Sequence, residues 1–191
     1  GSPLEGRTIL VVCEHGLGDT LHFVRYVDEI RRRGAGRILL AAQPMLAPLL
    51  TASGYGELVS LEGSLPHFDV HVTSLGLPGV FRDNLLTIPA AVPYLRTTRE
   101  LVERWREPLS RFEGFRVGIA WQGGRKVAGA NWRSIPLSEF EPLARVPGVQ
   151  WISLQQQEGK EQAREIGGRF GLVELGDDVD LREQGEAAGT G

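Results

Sequence analysis

Thr8–Tyr26, reading TILVVCEHGLGDTLHFVRY, decides the fold. Ile9, Leu10, Val11, Val12 and Cys13 form an apolar run without alternation, the pattern of a strand buried on both faces of a parallel sheet. Glu14-His15-Gly16-Leu17-Gly18-Asp19 follows as a tight glycine-containing turn. The period then changes. Leu17, Leu21, Val24, Val27 and Ile30 fall three or four apart, which predicts one amphipathic helix. Arg31-Arg32-Arg33 complement its negative end, and Gly34 supplies a left-handed stop. In such a strand–turn–helix unit the turn lies at the carboxyl end of the strand, where open α/β sheets place their ligands.

Two readings of the turn follow. In one, the glycines reverse the chain and Asp19 or Thr20 caps the helix. In the other, Asp19 is a functional carboxylate at a ligand crevice. His15 and His22 flank the turn, facing either that crevice or solvent.

Composition narrows the classes. The chain has 191 residues, 41% hydrophobic and 24% charged, as expected for one or two globular domains. A net charge of −3 gives no basic field for nucleic acid. No run approaches the roughly 18 apolar residues that span a bilayer, and Ile9–Cys13 is too short for a secretory targeting core. The single Cys13 excludes an internal disulfide and suits a reducing cytosol, so a cytoplasmic location is expected. Its strand position predicts an inert small hydrophobe. Four scattered histidines and one cysteine show no metal-ligand spacing, so no metal is expected.

Further along, Arg37–Ala42 reads as a second strand and Pro44–Ser53 as a helix. Glu57–Leu61 and Phe68–Thr73 read as third and fourth strands. This spacing implies a parallel sheet with right-handed crossovers. His71, on the fourth strand, reads as a hydrogen-bonded sheet histidine. Pro78, Pro89 and Pro93 forbid a long element in Ser74–Leu95, leaving a helical turn near Leu77–Phe81. Arg99–Phe112 is an amphipathic helix with Leu101, Val102, Trp105 and Leu109 on its apolar side. Glu113-Gly114 marks the candidate domain boundary.

Phe115–Trp121 is another buried strand, followed by Gln122-Gly123-Gly124-Arg125-Lys126 and then Asn131-Trp132-Arg133-Ser134. Glycines and cations after a strand suggest an anion cradle, with a solvated basic loop as the alternative. A helix over Leu137–Arg145, a strand over Val149–Gln155, a helix over Lys160–Gly168 and a strand over Leu172–Leu175 complete the pattern. Residues 177–191 have almost nothing apolar to bury and read as a disordered tail.

Several ordered words resemble one family. Glu14–Tyr26 (EHGLGDTLHFVRY), DVHVTSLGLPGVF, IPAAVPYL, VGIAWQGG, NWRSIPLSEF and Ser153-Leu154-Gln155 are similar to bacterial glycosyltransferases associated with tetratricopeptide repeats. These belong to the heptosyltransferase-like family nine of the GT-B type. More distantly, the words resemble the O-linked N-acetylglucosamine transferases. The resemblance implies Asp19 as catalytic base. It places Gly16, Gly18, His15 and His22 on the acceptor side. Arg125, Lys126, Arg133 and Ser134 would hold the donor's diphosphate, with Gln155 near the nucleotide. The chain departs from the family at Ala130-Asn131-Trp132, where an Asn-Asp pair is customary. A later glycine-rich, histidine-bearing segment of the family's second domain is also absent, so the resemblance is to a protein truncated within that domain.

The resulting expectation is an α/β, GT-B-like chain. It has a complete, doubly wound amino-terminal Rossmann-like domain over 1–113 on the acceptor side, and the first half of a nucleotide-sugar domain over 114–176. The implied activity is inverting, metal-independent transfer of a sugar from a nucleotide-sugar co-substrate to an acceptor hydroxyl on a protein or saccharide. No further cofactor, no nucleic acid and no membrane span are expected, and the incomplete second sheet predicts self-association through its uncovered edge. The alternative is a non-catalytic binding module on the same scaffold. A nucleotide-dependent oxidoreductase fits less well. The first turn lacks a third glycine, and Leu40-Ala41-Ala42-Gln43 carries no acid for a ribose hydroxyl.

Overall fold

In the computed structural model, which describes residues 3–123, 133–156 and 158–175, strand β1 (Thr8–Val12) lies inside its sheet. It pairs in parallel with β2 (Arg37–Ala41) on one side and β4 (Val70–Thr73) on the other. With β3 (Glu57–Leu58) beyond β2, the sheet has four strands in the order β3-β2-β1-β4. Ile9, Leu10 and Val11 are all buried, because β1 has a neighbour at each edge and a cover on each face. The unbroken apolar run therefore has the cause expected of it.

The two covers differ. Ile9 and Val11 pack with residues of helices α1 (Leu17–Phe23), α2 (Tyr26–Arg32), α3 (Ala47–Ala52) and α4 (Leu77–Phe81). Leu10, Leu39 and Ala41 face the other way and are covered by Val59, Leu65 and Phe68. This departs from the expected doubly wound cover. The strand order reverses direction after β3, so the β3–β4 connection crosses the opposite face. That connection carries Gly63 and Pro66 and runs as an irregular segment, so apolar side chains of a loop take the place of a helix.

The single helix expected from Leu17 onward is divided at Val24-Arg25. Two side chains account for the break. The Tyr94 hydroxyl donates to the Leu21 carbonyl at 3.1 Å, and Arg25 Nε donates to the His22 carbonyl at 2.9 Å. Both carbonyls are thus occupied where the helical ladder would continue. Leu17 also departs from expectation, lying 38% exposed, whereas Val24, Val27 and Ile30 are buried. Gly34, at φ 83°, stops the helix in the left-handed region as read.

The chain divides into two compact units between Arg99 and Glu100, so helix α5 (Arg99–Ser110) goes with the second unit rather than the first. None of its residues is fully buried; Leu101, Trp105 and Leu109 of the expected apolar side are half-buried, whereas Val102 is 45% exposed. The second unit holds a three-stranded parallel sheet in the order β5-β6-β7, formed by Phe115–Ile119, Val149–Ser153 and Val173–Glu174. Its core is Ile119, Trp121, Leu137, Trp151 and Ala163. Pro142 cannot donate a helical hydrogen bond, and Leu137–Arg145 winds as a 3-10 helix. Among the described residues β5 is an edge strand with Phe115 73% exposed. Residues 177–191 lie outside the described residues. No described helix is long and apolar enough to cross a membrane.

Two measurements check this architecture. Amides of Ile9–Val12 are expected to exchange more slowly than those of Val117–Ile119, since only β1 is paired at both edges; equal protection in a monomer contradicts the sheet order. Gly114 has φ +81°, and a Cβ there meets the Gly148 carbonyl oxygen at 2.4 Å. Gly114→Ala should therefore destabilise the second unit by about 1–3 kcal/mol in chemical denaturation, by left-handed strain alone or more.

Candidate functional site

β1 delivers the glycine turn to the carboxyl end of the sheet, and three polar side chains fasten it there. Glu14 Oε2 accepts from the Ser74 amide at 3.1 Å and the Ser74 hydroxyl at 3.3 Å, reaching across to the helical turn after β4. Gln43, at the end of β2, donates from Nε2 to the His15 carbonyl at 3.0 Å. Its Oε1 accepts from the buried Thr20 hydroxyl at 2.8 Å. His15 occupies the left-handed region at φ 71° without being glycine. A conformation costing of order 1–3 kcal/mol is thus held by bonds from two neighbouring strands.

Asp19 sits at the third position of α1, and its carboxylate reaches back to the amide of the N-cap residue. The Gly16 amide donates to Asp19 Oδ2 at 3.0 Å, while the Asp19 amide donates back to the Gly16 carbonyl at 3.1 Å. The capping reading is therefore realised. Among the described residues the second carboxylate oxygen has no hydrogen bond, and the side chain is half-buried. Beside it, Gly18 faces open space. His15 and His22 are both exposed, the His22 ring stacked 4.9 Å from Phe23. His71 pairs with Leu10 in the sheet, but its ring is exposed and edge-on to Phe68, and among the described residues it makes no side-chain hydrogen bond of the kind expected. Gly16, Gly18, His15 and Asp19 share one turn, with His22 one helical turn further on.

Two neighbours of the turn are electrostatically set. Burial pushes the Cys13 thiol up to about 11, more than the hydroxyls of Thr20 and Ser74 can offset, so it stays protonated and is no nucleophile at neutral pH. For Glu14, partial burial alone would raise the pKa. Hydrogen bonds to the carboxylate from its own backbone amide, then from Thr73, Ser74 and Leu75, outweigh it and bring the group below its ordinary 4.5.

In the second unit the corresponding strand end is built around Gln155, 5% exposed. Its Oε1 accepts from the Trp121 and Gln122 amides at 2.9 and 3.0 Å. Its Nε2 donates to the carbonyls of Gln122 at 2.8 Å and Glu158 at 2.7 Å. The amide of Gln155 is thus committed to backbone and shapes the loop at this strand end. Ser134 Oγ accepts from the Gly123 amide at 3.3 Å, bringing the predicted serine to the end of β5, and Arg133 is exposed. Arg125 and Lys126 lie outside the described residues. Gln162 adds a clasp that sequence reading missed: Oε1 accepts from the Leu137 amide at 2.8 Å and Nε2 donates to Gln122 Oε1 at 2.9 Å. Gln43 and Glu14 were missed too. Their one available signal is a polar residue placed directly after an apolar strand.

The chain matches no family model and no solved structure. It is similar to Protein FlbA of Caulobacter vibrioides, 26% identical over 209 residues that cover 94% of this chain and 32% of that protein. The chain therefore spans about a third of the length of this curated relative.

Gln155→Leu leaves the Trp121 and Gln122 amides without their acceptor and should cost about 2 kcal/mol or more, read from the urea midpoint. Glu14 gives a pH signature. Its folded pKa lies below 4.5, so its stabilisation is complete above that value and fades as pH falls through the lower folded pKa. Glu14→Gln should flatten this acid limb of the stability curve; an unchanged slope contradicts the assignment.

Proposed function

We propose that the chain is part of a GT-B-like, heptosyltransferase-like glycosyltransferase that transfers a sugar from a nucleotide-sugar donor to an acceptor hydroxyl, inverting configuration without a metal. The observation that carries the reading is the placement of Asp19. It stands on a strained, firmly fastened turn at the carboxyl end of a doubly paired central strand, with one carboxylate oxygen anchored to Gly16. A carboxylate held this way keeps a fixed direction while its second oxygen takes a proton.

The acceptor hydroxyl is proposed to approach over Gly16 and Gly18, with His15 and His22 as exposed polar neighbours. Asp19 removes its proton as the oxygen attacks the anomeric carbon, and the nucleoside diphosphate departs from the opposite face. In the second unit the loop after β5 is proposed to take the diphosphate. The supporting feature is the exposed guanidinium of Arg133 beside Ser134, which is bonded to the Gly123 amide. Arg125 and Lys126 join this role on the strength of the sequence resemblance alone. Gln155 is assigned to holding the loop, not to contacting the nucleotide.

A second reading rests on the Asp19 bond to the Gly16 amide. If Asp19 only closes the helix, the fold is a binding module on the same scaffold. Asp19→Asn and Asp19→Ala in the whole protein that carries this chain separate the two. As a base, Asp19→Asn should lower turnover by about two to four orders of magnitude with donor affinity kept. The asparagine side chain still accepts from Gly16, so stability should change little, whereas Asp19→Ala should also lose about 1 kcal/mol. Full transfer by Asp19→Asn would rule out the base.

A further inference from the structure

Two apolar features of the first unit follow one another along the chain. One is a groove of about 680 Å³, walled by Ile9 and Val70 of the sheet, Ile30 of α2, and Leu77, Val80 and Phe81 of α4. It opens next to β4, the outermost strand of its sheet, and none of the proposed site residues lines it. The other feature begins just after α4. Leu85 and Leu86 are 92% and 94% exposed.

These leucines are held out by an ordered turn. Arg82, at φ 58°, ends α4 in the left-handed region and swings the chain away. The Leu86 amide donates to Asn84 Oδ1 at 2.8 Å, and the Asn84 amide donates to Thr87 Oγ1 at 2.9 Å. Arg25 then donates to the Pro89 carbonyl at 3.1 Å and anchors the far side. Scattered apolar side chains on a surface are ordinary, but an adjacent pair presented on a fixed turn has little entropy left to lose on docking.

We propose that the first unit pairs with a second copy of this chain, each inserting its Leu85–Leu86 turn into the other's groove. A projection and a recess built from consecutive stretches of one chain are features that a two-fold axis satisfies reciprocally, closing the assembly at a dimer. Charge is compatible with the insertion. The turn exposes Arg82, while its Asp83 is half-buried and bonded to Tyr26, and the groove is lined by the exposed carboxylates of Glu5 and Asp69, the latter also accepting from the Thr8 amide at 2.7 Å. The cation at the mouth, Arg33, is paired with Glu29 at 3.2 Å and lies 4.3 Å over the Phe81 ring. The docked copy would also cover β4, which has no partner strand on its outer edge among the described residues, where an uncovered strand invites uncontrolled pairing.

Sedimentation equilibrium of the 191-residue chain tests this. The unaltered chain should dimerise reversibly at micromolar concentration. Leu85→Glu/Leu86→Glu on the projection and Val80→Glu at the groove mouth should each weaken dimerisation at least about thirtyfold. All three sites are at least half exposed, so thermal unfolding should scarcely change. The deciding sample is the equimolar mixture, in which one intact turn meets one intact groove and dimers should return. Should a variant fail to fold, Leu86→Cys/Val80→Cys provides the second measurement: under mild oxidation it should form an inter-chain disulfide between the two introduced positions. A monomer at high micromolar concentration would overturn the proposal. So would leucine variants that dissociate while Val80→Glu stays dimeric, which would signify a leucine-to-leucine contact. Failure of the mixture to recover, with no cross-link, would overturn it as well.

Discussion

The parallel pairing of β1 at both edges is the constraint on which the first unit depends. It forces Ile9 and Val11 onto one face and Leu10 onto the other, and both faces then require a cover. Each such side chain removed from water contributes about 1.5–3 kcal/mol before the entropy of ordering is charged against it. Helices cover one face and the β3–β4 connection covers the other. Only a strand immobilised along both edges can project a turn whose position is set by its neighbours. The clamp from Gln43 and the reach of Glu14 to Ser74 are the visible form of that dependence, one from β2 and one beyond β4. The second unit shows the contrast. β5 has one partner among the described residues, and its side chains are mostly exposed until Ile119.

How much of this was legible follows from what each signal physically reports. The Ile9–Cys13 run reports burial on both faces, and that is what β1 has. Gly34 reports a left-handed stop, and the backbone there requires one. Periodicity could not report the break at Val24-Arg25, because its causes are the Tyr94 hydroxyl and the Arg25 guanidinium, and Tyr94 comes from far along the chain. The same limit applies to Gln155. Its type and place after a strand suit a ligand contact, yet five backbone groups bonded to its side chain fill its capacity. Asp19 lay between two readings because a capping carboxylate and a reacting one share the same position. The geometry satisfies the first and leaves an oxygen for the second.

The segment after α4 shows how far the candidate site reaches. Tyr94 accepts the Arg25 guanidinium over its ring at 4.2 Å and bonds the Leu21 carbonyl, while its own carbonyl accepts from the buried Tyr55 at 2.6 Å. Ser53 Oγ accepts from the Arg96 amide at 2.8 Å, continuing the attachment to the end of α3. This proline-rich stretch has no regular structure of its own, so its order comes from side chains of the helices it crosses. In return it fixes where α1 ends. His22 stands one turn from Asp19, and its carbonyl is held by the same arginine that holds Pro89. Disturbing Arg25 would therefore loosen both the last turn of α1 and the base of the leucine turn. That places the two surfaces of the first unit under one shared side chain: the one beside the carboxylate and the one proposed for pairing.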